Sequence, residues 1–224
     1  MSRTISTLKR RWISVVPSVG NVSDASANRV MTVALDIGCG DNKAPGAIGV
    51  DVSVTPVVEV LGTANALPFR ESSADIIYLS HVLEHVDSLV ATIEEIWRVA
   101  KPGAFIHVWS PHFSCGLYVW SDPTHRRAFA STVFDYFDSA VPLAYYSHAR
   151  FQVLKRELHF GFRRTLVPVR GRSHSAALIK GSIGRLFETL ANRGRFSQIL
   201  CERTWANWVG FEEVYFQLKV VKPA

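Results

Sequence analysis

The chain of 224 residues carries 48% hydrophobic and 20% charged residues, the balance of a globular protein able to bury a substantial core in one domain. Its formal charge of +6 is modest, and no apolar run approaches a membrane span, so neither a low-complexity nor a membrane-spanning class fits. Three cysteines, Cys39, Cys115 and Cys201, are odd in number and widely spaced, which argues against a disulfide framework and a four-ligand zinc site and for a cytoplasmic protein.

In chain order, residues 1–30 are basic and broken by Ser14, Pro17 and Ser18, and read as a loosely held arm, with peripheral contact to anionic lipid as the second reading. "TVALDI" (32–37) is a continuous apolar run closed by a turn, as in a central parallel strand. "AIGVDV" (47–52), "VVEVLG" (57–62), "ADIIYLS" (74–80) and "FIHVWS" (105–110) follow as further strands. Between the last two, residues 88–100 have helical periodicity, with Leu89, Ile93, Ile96 and Trp97 on one face, and "KPGA" stops the helix. A second helix is predicted over 131–137. "FQVLKRELHF" (151–160) and "EEVYFQLKVV" (212–221) alternate like an antiparallel edge pair, separated by helical turns at 176–190 and 197–208. The fold class is therefore an α/β Rossmann-like sheet, mostly parallel with an antiparallel C-terminal edge, whose ligand belongs at the carboxyl ends of the strands where their order reverses. Residues 31–224 form one domain, with inserts at 111–150 and 161–208 expected to make a lid over the acceptor.

The turn after the first strand is informative through what it lacks. Gly38 and Gly40 allow a sharp turn and close approach to a ligand. The third glycine of a dinucleotide fingerprint is replaced by Lys43, and the acid Asp51 follows Gly38 by only 13 residues. Seven residues, with Pro45 and Gly46 among them, separate Gly40 from Ile48, too few for a packed crossover helix. The first helix is predicted to be truncated to a loop or single turn. Loop amides and Asp51 would then suit a ribose and a small carboxylate better than a pyrophosphate.

"LDIGCGDNKAPGAIGVDVS", "ANALPFRESSADIIYLSHVLEHV" and "EEIWRVAKPGAFIHVWSPHF", in that order over residues 32–113, resemble the class I S-adenosylmethionine-dependent methyltransferases, most closely the bacterial methyltransferase-type-11 group. The later "DPTHRRAFASTVFDYF" and the C-terminal segment resemble a branch of that group. The resemblance implies S-adenosyl-L-methionine as cofactor, with Asp36, Gly38 and Gly40 forming its loop and Asp51, beside Val52, receiving the ribose hydroxyls. Ala64, Asn65 and Leu67 would line the adenine, Asn65 standing in where Thr63 replaces the acid often found there. Ser80 and His81 would lie beside the sulfonium.

Methyl transfer to a hydroxyl requires alignment and removal of a proton, for which His is the usual base. His125, oriented by Asp122 three residues earlier, is the first candidate and His112 the second. Arg126 and Arg127 are candidates to clamp an anionic group on the acceptor, with Phe113 and Tyr118 among the aromatic residues expected to line its pocket. His81, Glu84 and His85 raise the question of a metal, but no third ligand of the zinc type stands nearby in sequence, so no metal is expected. The Asn/Asp-Pro-Pro-aromatic turn of base-amine methyltransferases is absent, and no RNA-binding module is present, which disfavours nucleic acid. Ten Lys and Arg between 155 and 195 face only Glu157 and Glu188, so that stretch is either a solvated face or a surface attracting an anionic acceptor. The function expected is O-methylation of a small-molecule or glycan acceptor. The alternatives are a catalytically inactive S-adenosylmethionine-binding protein and, behind it, a nucleic-acid methyltransferase.

Overall fold

The computed structural model describes residues 32–138, 140–141, 144–160 and 184–223. The arm at 1–30, the helical turn expected at 176–183 and the basic residues from Arg163 to Lys180 lie outside the described residues.

Seven strands form one sheet in the order β3-β2-β1-β4-β5-β7-β6. They are β1 (Ala34–Ile37), β2 (Ile48–Asp51), β3 (Val60–Leu61), β4 (Ala74–Ser80), β5 (Ala100–Pro111), β6 (Arg150–His159) and β7 (Glu213–Val221). The first five pair in parallel, whereas β7 runs antiparallel between β5 and β6. Strand order reverses at β1, which has β2 on one side and β4 on the other, and this opens a crevice at their carboxyl ends. The expected α/β class and mostly parallel sheet are thus observed, with β6 at the rim and the C-terminal strand inside it.

Alternation with period two separates the faces of the sheet. Leu35, Ile37, Ile77, Leu79, Ile106 and Val108 are buried in the main core. Helix α1 (Leu89–Val99) contributes Ile93, Ile96 and Val99 to the same core, and Ser88 caps it by accepting from Ala91 N–H. On the alternate positions, Tyr78, His107 and Trp109 form a stack of rings across β4 and β5, and Tyr215 on β7 extends it. Each is flat, so the rings stack from strand to strand.

Residues 38–47 form turns with no helix, as the short spacing requires. In place of a helix, Ala44 and Ala47 are buried against Tyr78, Ala34, Ile76 and Trp109. Two expectations are shortened. The third strand spans Val60–Leu61, because Val58 N–H turns back to Thr55 C=O. The segment expected as a helix at 131–137 is a 3-10 turn over Val133–Phe137. Beyond these, α2 (Gly116–Trp120) follows β5, residues 184–191 form α3, and α4 (Arg195–Thr204) and α5 (Ala206–Val209) lead into β7.

Candidate active site at the carboxyl ends of the strands

Parallel register places Ile37 beside Val50 and Leu79, and Ser80 beside Trp109, so Gly38, Asp51, His81 and Ser110 emerge at one edge of the sheet. Gly38 and Gly40 have φ of +66° and +53°, the left-handed region that favours glycine. At Gly38 a side chain would also meet Val82, since a Cβ there lies 2.4 Å from Cγ2. At Gly40 a Cβ would meet nothing within 4 Å, so the turn faces open space.

Asp51 ends β2 half-buried, and its two carboxylate oxygens accept from Gly40 N–H at 2.9 Å and Ser53 N–H at 2.9 Å. These bonds fix the carboxylate at the mouth of the turn while leaving lone pairs for a diol. Asp36 is buried, and its Oδ2 accepts from Ala44 N–H at 2.6 Å, so it holds the helix-less loop against the sheet. Across the crevice, Ser80 Oγ is buried with no hydrogen-bond partner among the described residues. An orphaned hydroxyl at a strand end is costly unless a ligand satisfies it. Leu67 is buried, with its N–H donating to Glu95 at 2.7 Å, and Ala64 is half-buried. Asn65 is exposed and accepts from Thr63 Oγ1 at 2.6 Å, and Val52 is 69% exposed beyond the strand end. A glycine turn facing open space, a braced acid and a buried unpaired hydroxyl fit a ligand with a ribose and a polar tail.

His81 closes this side in a left-handed conformation, φ +56°, that a non-glycine residue adopts at a cost. The reward is electrostatic: Nδ1 lies 3.1 Å from Glu84 Oε1 and Nε2 lies 3.0 Å from Glu213 Oε1. Burial disfavours its charge, yet the Glu213 and Glu84 carboxylates outweigh burial and raise the imidazole to about 9. The imidazolium is thereby held between the buried side chains of Glu84 and Glu213. The chain of contacts continues through Glu213 to His159, at 3.5 Å, and on to Glu157, at 3.3 Å. The hydrogen bond to His159, helped by Lys155, pulls the Glu157 carboxyl down to about 2. Sequence reading missed Glu213 altogether and weighed Glu84 only in the question of a metal. The available signal was a pair of acids opening a mostly apolar strand, in "FEEVYF".

The loop 121–127 folds back over residues 83–87. Arg127 donates to Leu83 C=O at 2.9 Å, Val86 C=O at 2.5 Å and Asp87 C=O at 3.0 Å. Three of its five N–H donors are committed to the chain's own backbone, so in this structure Arg127 holds this turn. Arg126 pairs with Asp87 at the surface, and its N–H donates to Glu84 C=O at 2.8 Å. His85 and His125 meet edge to face, with ring centroids 4.7 Å apart. His125 Nδ1 lies 2.7 Å from Val119 C=O, whereas Asp122 Oδ2 lies 3.9 Å from its Nε2, so a backbone carbonyl orients the ring where Asp122 was expected to. Asp122 instead accepts from Thr124 through both its N–H and its hydroxyl, which hold its carboxyl below the usual range.

His112 is fully buried, with Nδ1 at 2.8 Å from Ser114 Oγ and Nε2 at 2.9 Å from Glu202. Glu202 also accepts from Ser131 N–H and Oγ, so this cluster ties the end of β5 to α4. With both nitrogens engaged and no exposure, His112 joins the end of β5 to α4 in this structure. Phe113 packs on the His112 ring at 4.5 Å, and Tyr118 is half-buried on α2.

Residues 35–108 match the family model described as Methyltransferase domain, Methyltransf_11. A solved S-adenosylmethionine-dependent methyltransferase from Archaeoglobus fulgidus aligns with TM-score 0.50 and 18% identity over 84% of this chain and 86% of that one. A Haloferax volcanii complex that contains the Trm112 methyltransferase activator aligns with TM-score 0.50 and 12% identity, covering 86% of this chain and 83% of that one. A search of the curated proteins gave no match. The domain match and the shared fold agree with the glycine turn and Asp51 in implying S-adenosylmethionine as the cofactor.

Proposed function

We propose that this chain, an S-adenosylmethionine-dependent methyltransferase of class I fold, methylates an oxygen on a small-molecule or sugar acceptor. When bound, the cofactor supplies an electrophilic methyl group on a sulfonium. Asp51 would hold its ribose hydroxyls, the turn at Gly38 and Gly40 its amino-acid end, Ala64, Asn65 and Leu67 its adenine, and Ser80 and His81 its sulfonium side. Glu84 and Glu213 would hold the His81 imidazolium there.

The observation that carries the oxygen acceptor is the pair His85 and His125, whose rings meet edge to face on the loops that follow β4 and α2. Paired imidazoles give the site a means of handling a hydroxyl proton. Helix α2, whose Val119 carbonyl orients His125, carries Tyr118 and the exposed Leu117 and Trp120, and aromatic faces suit a sugar ring. We assign α2 and the loop 121–127 to the lid expected over the acceptor, with Arg126 at its rim as a contact for an anionic group. No helix among the described residues is long and apolar enough to cross a membrane.

The test is incubation with methyl-labelled cofactor and a panel of glycosides, nucleotide sugars, phenols and amines, with the methylated atom identified by NMR. An O-methyl ether is expected. Exclusive N-methylation would overturn the oxygen assignment.

A further inference from the structure

Glu84, His85 and His125 each offer one ligand atom within 4.8 Å of the other two. His125 is 40 residues from His85 in sequence and reaches it because Arg126 N–H bonds Glu84 C=O and draws the two loops together. The tautomers of both rings add an independent observation. Val119 C=O can only accept, so the His125 ring carries its proton on Nδ1 and its lone pair on Nε2. Thr124 Oγ1 lies 2.6 Å from Asp122 Oδ1 and donates to that carboxylate, so it accepts from His85 Nδ1 at 2.8 Å, and His85 likewise keeps its lone pair on Nε2. An imidazole whose Nδ1–H is held by a carbonyl or by a carboxylate-linked acceptor is prepared for metal ligation through the other nitrogen. Glu84 is fully buried and supplies a carboxyl oxygen, and Asp122 Oδ2 lies 3.9 Å from His125 Nε2.

We propose that Glu84, His85 and His125 bind a divalent first-row cation, and that this cation takes the acceptor hydroxyl as a further ligand. Two imidazoles and one carboxylate suit Zn2+, Mn2+ or Fe2+ and leave coordination positions open. Ligand bonds of about 2.0–2.2 Å place tetrahedral donors ~3.4 Å apart, so modest side-chain rotation closes the present arrangement around an ion. The inference rests on the oxygen-acceptor reading and deepens it: the imidazoles act on the hydroxyl through a cation in place of taking its proton themselves. A cation-bound hydroxyl is more acidic and gives its proton to water. Its oxygen electron pair forms the new C–O bond as the C–S bond of the donor breaks, and that bond's electrons stay on sulfur.

The expectation of no metal came from the lack of a third ligand near "HVLEH" in sequence; the loop 121–127 supplies one. The experiment is calorimetric titration of Zn2+, Mn2+ and Co2+, each alone, into the full chain without a histidine tag and stripped of metal. Wild type, His85→Ala and His125→Ala are compared, and S-adenosylhomocysteine is titrated into the same preparations. One equivalent of at least one cation is expected to bind wild type, each substitution is expected to weaken it tenfold or more, and S-adenosylhomocysteine affinity is expected to stay within about twofold. Where alanine at 125 abolishes S-adenosylhomocysteine binding, His125→Asn provides the comparison with a folded chain. Absence of binding by wild type, or binding that both histidine variants retain, overturns the cation site. Because the readout needs no acceptor, an N-methyl product would remove the oxygen reading while the titration separately decides the metal.

Discussion

At the scale of single residues, the cofactor side depends on a carboxylate placed by backbone donors. Asp51 accepts from Gly40 and Ser53 and is still half-exposed to the crevice, so its removal should act on binding more than on folding. Asp51→Ala is expected to weaken S-adenosylhomocysteine binding by about 1–3 kcal/mol, the scale of a lost hydrogen bond to a charged group; calorimetry that finds unchanged affinity removes Asp51 from the cofactor site. The cysteines give a second prediction. Burial, reinforced by nearby Asp36 and Asp51, pushes the Cys39 thiol up to about 11, and burial with Glu202 pushes Cys201 to about 12. Both should alkylate with iodoacetamide at pH 8 far more slowly than free cysteine, as mass spectrometry of the native chain would show. Rapid modification of either would mean that its surroundings open readily.

At the scale of elements, the helix-less crossover works because the loop is pinned at several points. Asp36 takes Ala44 N–H, Thr55 Oγ1 donates to Gly40 C=O, and Glu59 accepts from Gly49 N–H. Close packing of β2 on the turn before β3 depends on Gly49, where a Cβ would lie 2.5 Å from Val57 C=O. Backbone cannot rotate away as a side-chain tip can, so Gly49→Ala should destabilise by ~1–3 kcal/mol and lower the thermal midpoint; a midpoint equal to wild type would show that β3 shifts freely. Helix α1 offers a milder case. Ser88→Ala deletes its N-cap and should cost about 1 kcal/mol, read from denaturant unfolding, with S-adenosylhomocysteine binding intact. The crossover was legible in advance because Pro45, Gly46 and a gap of seven residues leave no room for a packed helix. The short β3 was less legible, since Val57 and Val58 have the composition of a strand and only the turn back to Thr55 removes them from the sheet.

At the scale of the whole molecule, partly buried acids join elements that are distant in sequence. Glu202 links His112 and Ser131 to α4, and Glu157 and His159 link β6 to Glu213 on β7. Burial works against the Glu202 charge, but His112 and Ser131 hold its carboxyl below the ordinary range, while His159 and Lys155 hold Glu157 near 2. Carboxyls depressed on folding stabilise above the unfolded value, about 4.3, and lose that stabilisation as pH falls toward the folded one. Thermal midpoints should therefore fall steadily from about pH 4.5 toward 2; a midpoint that stays level to pH 3 would show that these networks contribute nothing to stability. The sequence by itself determined the sheet class, the truncated first crossover, the glycine turn and Asp51, because alternation, chain length and glycine act over a few neighbouring residues. Only the tertiary structure decided which of His112 and His125 is buried in packing, that Arg127 holds a turn, and that Glu84 and Glu213 share His81. Those outcomes depend on contacts between segments 40 to 132 positions apart, where the partner of a charge is set by how strands and loops stack and not by its neighbours along the chain.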